Sequence, residues 1–248
     1  MKITVITVCF NSAATISDAL DSVALQTHSD VEHIVIDGGS TDGTQVIVRS
    51  RGSNIAKFVS EADHGIYDAM NKGLRLATGD MVGFLNADDV FATPSALSLV
   101  EAAAKQSVDA VYGDLVYVRS DDLSAVIRHW HSGSYARERL RQGWMPPHPT
   151  FYVRRSRLEE IGLFDSRLRI AADYDFMLRC LILPRFVVAY VPQVLVRMRA
   201  GGVSNRSITA LLNKSREDLT ALRKSGVGGV WTLACKNLRK LPQFLRRN

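Results

Sequence analysis

Three acidic runs in this chain have residue types and spacing that could do chemistry. The first is Asn86–Asp89 (NADD), placed directly after the apolar stretch Val82–Leu85. A hard divalent cation takes oxygen ligands and readily bridges one or two carboxylates to a diphosphate. Mg2+ or Mn2+ bound at such a run would stabilise a diphosphate as a leaving group. Adjacent carboxylates repel one another unless a cation lies between them, which separates Asp88 and Asp89 from ordinary turn residues. The second run is Ile170–Arg179, with Asp173 at the start of an amphipathic helix and Asp175 two positions on, facing elsewhere. Two readings stand for Asp173: a helix cap, or a general base that removes a proton from an acceptor hydroxyl. The third is Asp37–Thr44 (DGGSTDGT), whose glycines permit positive φ or close backbone approach and whose Ser40, Thr41 and Asp42 can cap a helix. It matches neither the GxGxxG fingerprint nor a P-loop. His148 stands in the rigid run Pro146–Pro149. It is either a packed side chain, or a contact to diphosphate, acceptor or a late metal, where neutral imidazole suits Mn2+ better than Mg2+.

These residues need a frame to bring them together. Apolar, β-branched runs predict strands over Ile3–Phe10, His33–Asp37, Lys57–Ser60, Met81–Asn86 and Ala110–Val118. Helical periodicity predicts helices over Ala14–Gln26, Gly43–Arg51, Tyr67–Ala77, Ser95–Lys105 and Ala172–Leu183. Alternating strands and helices with short connections give an α/β fold with a mostly parallel sheet, and ligands of such sheets bind beyond the carboxyl ends of the strands. Asp37 ends the second strand, Glu61 and Asp63 follow the third, and Asn86, Asp88 and Asp89 end the fourth. Three strands thus deliver acid to one edge. Beyond Asp121 a hairpin turn is expected, then an irregular loop over Gly143–Val153 that runs into a strand.

The 248 residues, 46% of them hydrophobic, suffice for one α/β domain with an appendage. No stretch approaches the roughly 20 apolar residues of a membrane span. The N-terminal apolar run is too short for a signal peptide, so the expected location is cytoplasmic. Three scattered cysteines without metal spacing argue against a disulfide framework. The net charge of +6 calls for an anionic partner.

Taken in order, the motifs resemble those of the family 2 glycosyltransferases, the large inverting group with the GT-A fold. The resemblance covers roughly residues 1–200 and rests on Thr4–Asn11, Asp37–Thr44, Ser60–Gly73, Gly79-Asp80, Asn86–Asp89 and Ala172-Asp173. It looks closest to the branch that assembles bacterial exopolysaccharide, O-antigen and colanic acid repeat units. It implies a Rossmann-like, mostly parallel mixed sheet flanked by helices. It also implies a nucleotide-sugar donor, a saccharide or lipid-linked acceptor, and Mn2+ or Mg2+. Carried onto this chain, Asp37 accepts from the nucleotide base beside the backbone of Thr7–Phe10, and Asp63 and Asn71 line the nucleotide pocket. Asn86 and Asp88 meet the donor, Asp88 and Asp89 serve the metal, and Asp173 is the base. Two positions depart from the family pattern: Asn86 replaces the first acid of the DxD motif, and Ala172 stands where an acid often precedes the base.

The expected division is a catalytic domain over residues 1–205 and a basic helical tail over 206–248. The tail mixes Lys and Arg with Trp231, Leu233 and Leu238. Such a helix either lies on an anionic membrane, which would place the protein at the inner face of the cell membrane, or packs its apolar side on the domain. A nucleotidyltransferase would show a Gly-rich N-terminal loop with Arg, and Cys9–Asn11 offers none. A non-catalytic nucleotide or lipid-surface module would leave the acids structural. Nucleic acid is not the expected partner, because positive charge gathers late in the chain rather than across the core.

Overall fold

All seven residues of β1 (Ile3–Cys9) are buried, as a parallel strand covered on both faces requires. It pairs in parallel with β2 (Val31–Asp37) on one side. Beyond β2 lies β3 (Lys57–Ser60), also parallel. In the computed structural model, which describes residues 1–201 and 208–239, β4 (Met81–Phe84) flanks β1 on its other side. The connecting helices are α1 (Ile16–Ala24), α2 (Thr44–Arg49) and α3 (Ile66–Leu76).

Side chains alternate between the two faces of the sheet, the period-two rule of a strand. Ile6, Val8, Ile34, Ile36 and Phe84 meet Met70 and Leu74 of α3 in one core. Ile3, Val5 and Met81 meet Leu97 and Val100 of α4 (Ala96–Ala103) in another, which also holds Phe91 of β5 (Val90–Phe91). Cys9 and Val35 pack with Ile16 and Leu20 of α1 and Val48 of α2. Each fully buried aliphatic side chain contributes roughly 1.5–3 kcal/mol. Gly73 lets α3 lie against β1, because a Cβ there would overlap Ile6.

The second half adds β6 (Ala110–Val118), β7 (Val126–Trp130), α5 (Arg137–Arg141), β8 (Tyr152–Arg154), α6 (Leu158–Ile161), α7 (Ala172–Ile182), β9 (Val188–Arg199), α8 (Ile208–Lys224) and α9 (Val230–Leu238). The sheet order is β3-β2-β1-β4-β8-β6-β9-β5, with β7 on β6. Val153 of β8 pairs antiparallel with both Val82 and Ala110, so β6 runs parallel to β4. β4 stops at Phe84 while β6 continues to Val118. β6 therefore outruns the parallel edge, bending at bulges around Gly113–Leu115.

The mostly parallel mixed sheet flanked by helices is the expected fold. The five strands and five helices of the expectation all form, with ends that differ by at most two residues. Among the additions, β5 is too short to show a period, and β9 owes its pairing to the whole length of β6. The expected 205/206 boundary, Arg206 and the tail from Lys240 onward lie outside the described residues.

Candidate active site

The register aligns Cys9 with Asp37 and Asp37 with Ser60, so three strands end at one edge. Asp37 itself is fully buried. It accepts from Ser40 N–H (3.0 Å), Ser60 Oγ–H (2.6 Å) and the Ser40 hydroxyl. Burial pushes its carboxyl up, but the hydrogen bonds of Ser40 and Ser60 outweigh that and hold it below the ordinary carboxylate range. This corrects the expectation that Asp37 meets the nucleotide base: its acceptor capacity is spent on the turn. Asn11, in the left-handed region at φ 49°, ties β1 to that turn. Its N–H donates to Ser40 Oγ (2.7 Å), and its Oδ1 accepts from Thr41 N–H (2.9 Å). Short polar side chains tolerate that conformation best.

What faces outward is a different set of residues. Phe10 follows β1 with 62% of its surface exposed. A Cβ on Gly38 would touch the Phe10 ring (3.4 Å) and overlap the Asp63 carboxylate. Gly38 thus lets an aromatic face and an acid approach one spot, with Asp63 Oδ1 holding Gly65 N–H (2.9 Å). Thr7 and Asn71 do not reach it, and both are corrections. Thr7 is buried, with its hydroxyl on His33 Nε2 (3.0 Å). Asn71 is a buried clamp: its amide donates to Phe164 O (3.0 Å) and accepts from Phe164 N–H (2.9 Å).

The turn after β4 divides its two acids. Asp89 is fully buried and takes Asn86 Nδ2–H (3.2 Å) and Arg199 N–H (3.3 Å). Burial, then the charge of Asp88, pushes its carboxyl well up. Asp89 is therefore a strut rather than a metal ligand, and the repulsion between neighbouring acids is relieved by turning one inward. Arg199, the last residue of β9, completes the staple. Its guanidinium donates to Asp88 O (2.7 Å), to Ser120 O (3.2 Å) and to Asp18. Asp88 stays half-exposed, and Asn86 Oδ1 is a buried acceptor with no hydrogen-bond partner.

That donor set can be tested against a divalent cation. Among the described residues no group of three or more His, Cys, Asp or Glu could hold a metal alone. One free carboxylate and one orphaned amide oxygen match a cation that brings most of its ligands as diphosphate oxygens and water. The residues fit a metal of that kind.

Asp173 lies in the first turn of α7 and is half-buried. Tyr174 N–H (2.8 Å) and the Tyr67 hydroxyl (3.1 Å) both reach its Oδ1. Tyr67 is also 2.8 Å from Ile170 O. Burial, then the charge of Asp173, keeps Tyr67 protonated. His148 stacks on Phe84 at the end of β4 (5.3 Å) and meets Phe164 edge-on (5.8 Å). The packed reading of His148 is the one the structure supports. Burial lowers its pKa while Asp173 opposes that. Tyr117 of β6 feels both Asp89 and Asp173, and burial raises its pKa before either of them adds to the rise. The acids of the β4 turn and of α7 therefore share one neighbourhood.

The described part of the tail packs on the domain. Ala221, Leu222 and Val227 join the core that holds Phe176 and Met177 of α7. Gly143, at φ 74°, admits the backbone of Lys236, which any Cβ would strike. On α9 Trp231 is 77% exposed. No described helix is long and apolar enough to cross a membrane. Phe10, Tyr67 and Glu217 of α8 are the residues that sequence reasoning missed. Only Phe10 had a signal, as an aromatic at the end of a strand.

The model of the family described as "Glycosyl transferase family 2" matches residues 4–166. The PGL/p-HBAD biosynthesis glycosyltransferase of Mycobacterium tuberculosis is 36% identical over 201 residues, 79% of this chain and 76% of the relative. Among solved structures, TarS 1-349 of S. aureus in complex with UDP-GlcNAc superposes with a TM-score of 0.68 at 20% identity. That match covers 92% of this chain and 66% of TarS 1-349. The mannosyltransferase PcManGT of Pyrobaculum calidifontis, in complex with GDP-Man and Mn2+, gives a TM-score of 0.67 at 21% identity. It is covered to 76% by the whole of this chain. These neighbours share the GT-A fold found here.

Proposed function

Since this chain belongs to glycosyl transferase family 2 and is a glycosyltransferase, we propose that it moves a sugar from a nucleoside-diphosphate sugar onto an acceptor hydroxyl with inversion. The observation that carries this reading is that Asp173 of α7 acts on Tyr117, which also feels Asp89 beside Asp88, and on His148, which stacks on Phe84 at the end of β4. In it, the nucleotide base lies on the Phe10 ring with Asp63 as its acceptor. Asp88 and Asn86 Oδ1 face the diphosphate. Asp88 and Asn86 Oδ1 would hold Mn2+ or Mg2+, which would supply positive charge against the departing group.

Asp173 takes the proton of the acceptor hydroxyl through its second carboxylate oxygen. The oxygen so freed forms a bond to the anomeric carbon from the face opposite the diphosphate. The bond from that carbon to the diphosphate oxygen breaks, and the electron pair leaves with the nucleoside diphosphate. One displacement gives one inversion. The Tyr67 hydroxyl and Tyr174 N–H hold Oδ1, and so aim the carboxylate.

The acceptor in this proposal is a saccharide, lipid-linked, in cell-surface polysaccharide assembly. The exposed Trp231 and Arg239, at the two ends of α9, support docking at the cytoplasmic face of an anionic membrane. The experiment is turnover of UDP-glucose, UDP-N-acetylglucosamine, GDP-mannose and dTDP-rhamnose with Mn2+ or Mg2+. Slow hydrolysis of one donor, abolished by EDTA, is expected. Binding of donors with no turnover across the panel would sink the catalytic assignment.

A further inference from the structure

The chain entering α7 has no capping side chain of its own, since Ala171 is the N-cap and Ala172 the first helical residue. Its N–H groups are nevertheless satisfied, from 46 to 48 residues away. Glu217 of α8 accepts from Arg169 N–H (3.1 Å) on Oε1, and from Ile170 N–H (2.8 Å) and Ala171 N–H (2.9 Å) on Oε2. Three successive N–H groups at a helix mouth form a concave, partly positive nest, for which a carboxylate is the complement. The next residue of α8 adds a second grip. Asp218 pairs with Lys236 (2.7 Å), whose ammonium lies 3.3 Å from the centre of the Tyr174 ring, beside Asp173.

We infer that Glu217 is a positioning residue for glycosyl transfer: it occupies the nest that leads into α7, leaves Asp173, among the described backbone groups, with the adjacent Tyr174 N–H alone to accept from, and so fixes where Asp173 stands. The inference rests on Asp173 being the base. Its physics is a competition between two anions for the same donors. With Glu217 removed, Asp173, two residues after Ala171, is a carboxylate that can turn back onto the vacant N–H groups. A carboxylate that accepts several backbone N–H bonds becomes a weaker base, and one turned back onto its own helix no longer points at an acceptor. The described part of the tail is on this view a component of the active site. Around Asp173 the titratable neighbours are Tyr67 from α3, Tyr117 from β6, His148, Glu217 from α8 and Lys236 from α9.

The test uses the full chain and hydrolysis of whichever donor of the panel turns over, with Mn2+. Glu217→Ala is expected to lower kcat by about 100-fold, the scale of an ångström-sized misplacement, with donor KM unchanged. Its acid limb in the pH–kcat profile should move to lower pH. Glu217→Gln, which keeps an acceptor oxygen, should restore most of kcat yet retain a smaller limb shift from the lost charge. Should Glu217→Ala fail to fold, Glu217→Gln alone decides. Wild-type kcat and an unmoved acid limb in the folded variants overturn the role of Glu217. Asp173→Asn is measured in parallel: if it turns over donor like wild type, the base assignment fails first and this role with it. An inert Asp173→Asn beside a wild-type-like Glu217→Ala removes Glu217 alone.

Discussion

The turn after β2 is closed by partners close at hand: Asp37 is bound by Ser40, three residues away, and by Ser60, 23 away. At the turn after β4 and at α7, the holding groups come from far along the chain. Asp89 and the Asp88 carbonyl are held by Arg199 across 110 and 111 residues, Asp173 by Tyr67 across 106, and the nest before α7 by Glu217 across 46 to 48. The difference teaches how each region should fail. A turn closed on itself keeps its shape when one exposed side chain is lost, whereas a position defined by remote partners moves when any partner goes.

The largest expected effect tests the long-range region. Asp173→Asn should lower turnover by about 10²- to 10⁴-fold, the range of a lost general base, while calorimetric binding of UDP-glucose with Mn2+ is unchanged. Loss of donor binding as well would join the two regions and break the comparison. Asp88→Ala comes next, with turnover down about 10²- to 10³-fold, as for one electrostatic contact to developing charge. The Mn2+-dependent thermal shift with nucleoside diphosphate should vanish, yet the apo melting temperature should stay close to wild type because the turn is held by Asp89 and Arg199. A large apo destabilisation would show that Asp88, too, is structural.

Phe10→Ala is smaller again. Base–aromatic stacking is worth about 1–3 kcal/mol, so donor affinity should fall at least several-fold and Phe10→Tyr should hold it. Equal affinities in all three proteins would move the base elsewhere. The least effect on activity belongs to His33, whose burial brings its pKa down to about 4 from 6.5. The unfolded chain binds a proton that the fold refuses. The stability that this histidine contributes is therefore full above pH 6.5 and is lost as pH falls through the window down to about 4. His33→Gln, which leaves Thr7 a partner, should flatten the fall of melting temperature between pH 7 and pH 5. Parallel curves for both proteins would clear His33 of any part in acid lability.

Much of the fold was legible because its signals are short-range. The buried run of β1 and the period of α3 reveal strand and helix within ten residues, and the Asp37–Thr44 turn carries its own partners. The candidate site was legible only as a set of acids at one edge. Asp88, Asp63 and Asp173 stand where strand and helix ends put them. Asp37, Asp89, Thr7 and Asn71 were expected to meet donor or metal, and each faces inward instead. No local pattern separates an acid that meets solvent from one that holds a turn.

By itself the sequence determined the alternation of strand and helix, the covered parallel sheet, and the delivery of acid to its carboxyl edge. Hydrophobic periodicity and turn chemistry act over a few residues and need no distant partner. Only the tertiary structure decided which acid is free and which is spent. Burial and hydrogen-bond partners are set by whatever packs across the gap: Arg199 behind Asp89, Phe164 against Asn71, and Glu217 ahead of Asp173. Those contacts span 46 to 110 residues, far beyond the reach of any spacing rule.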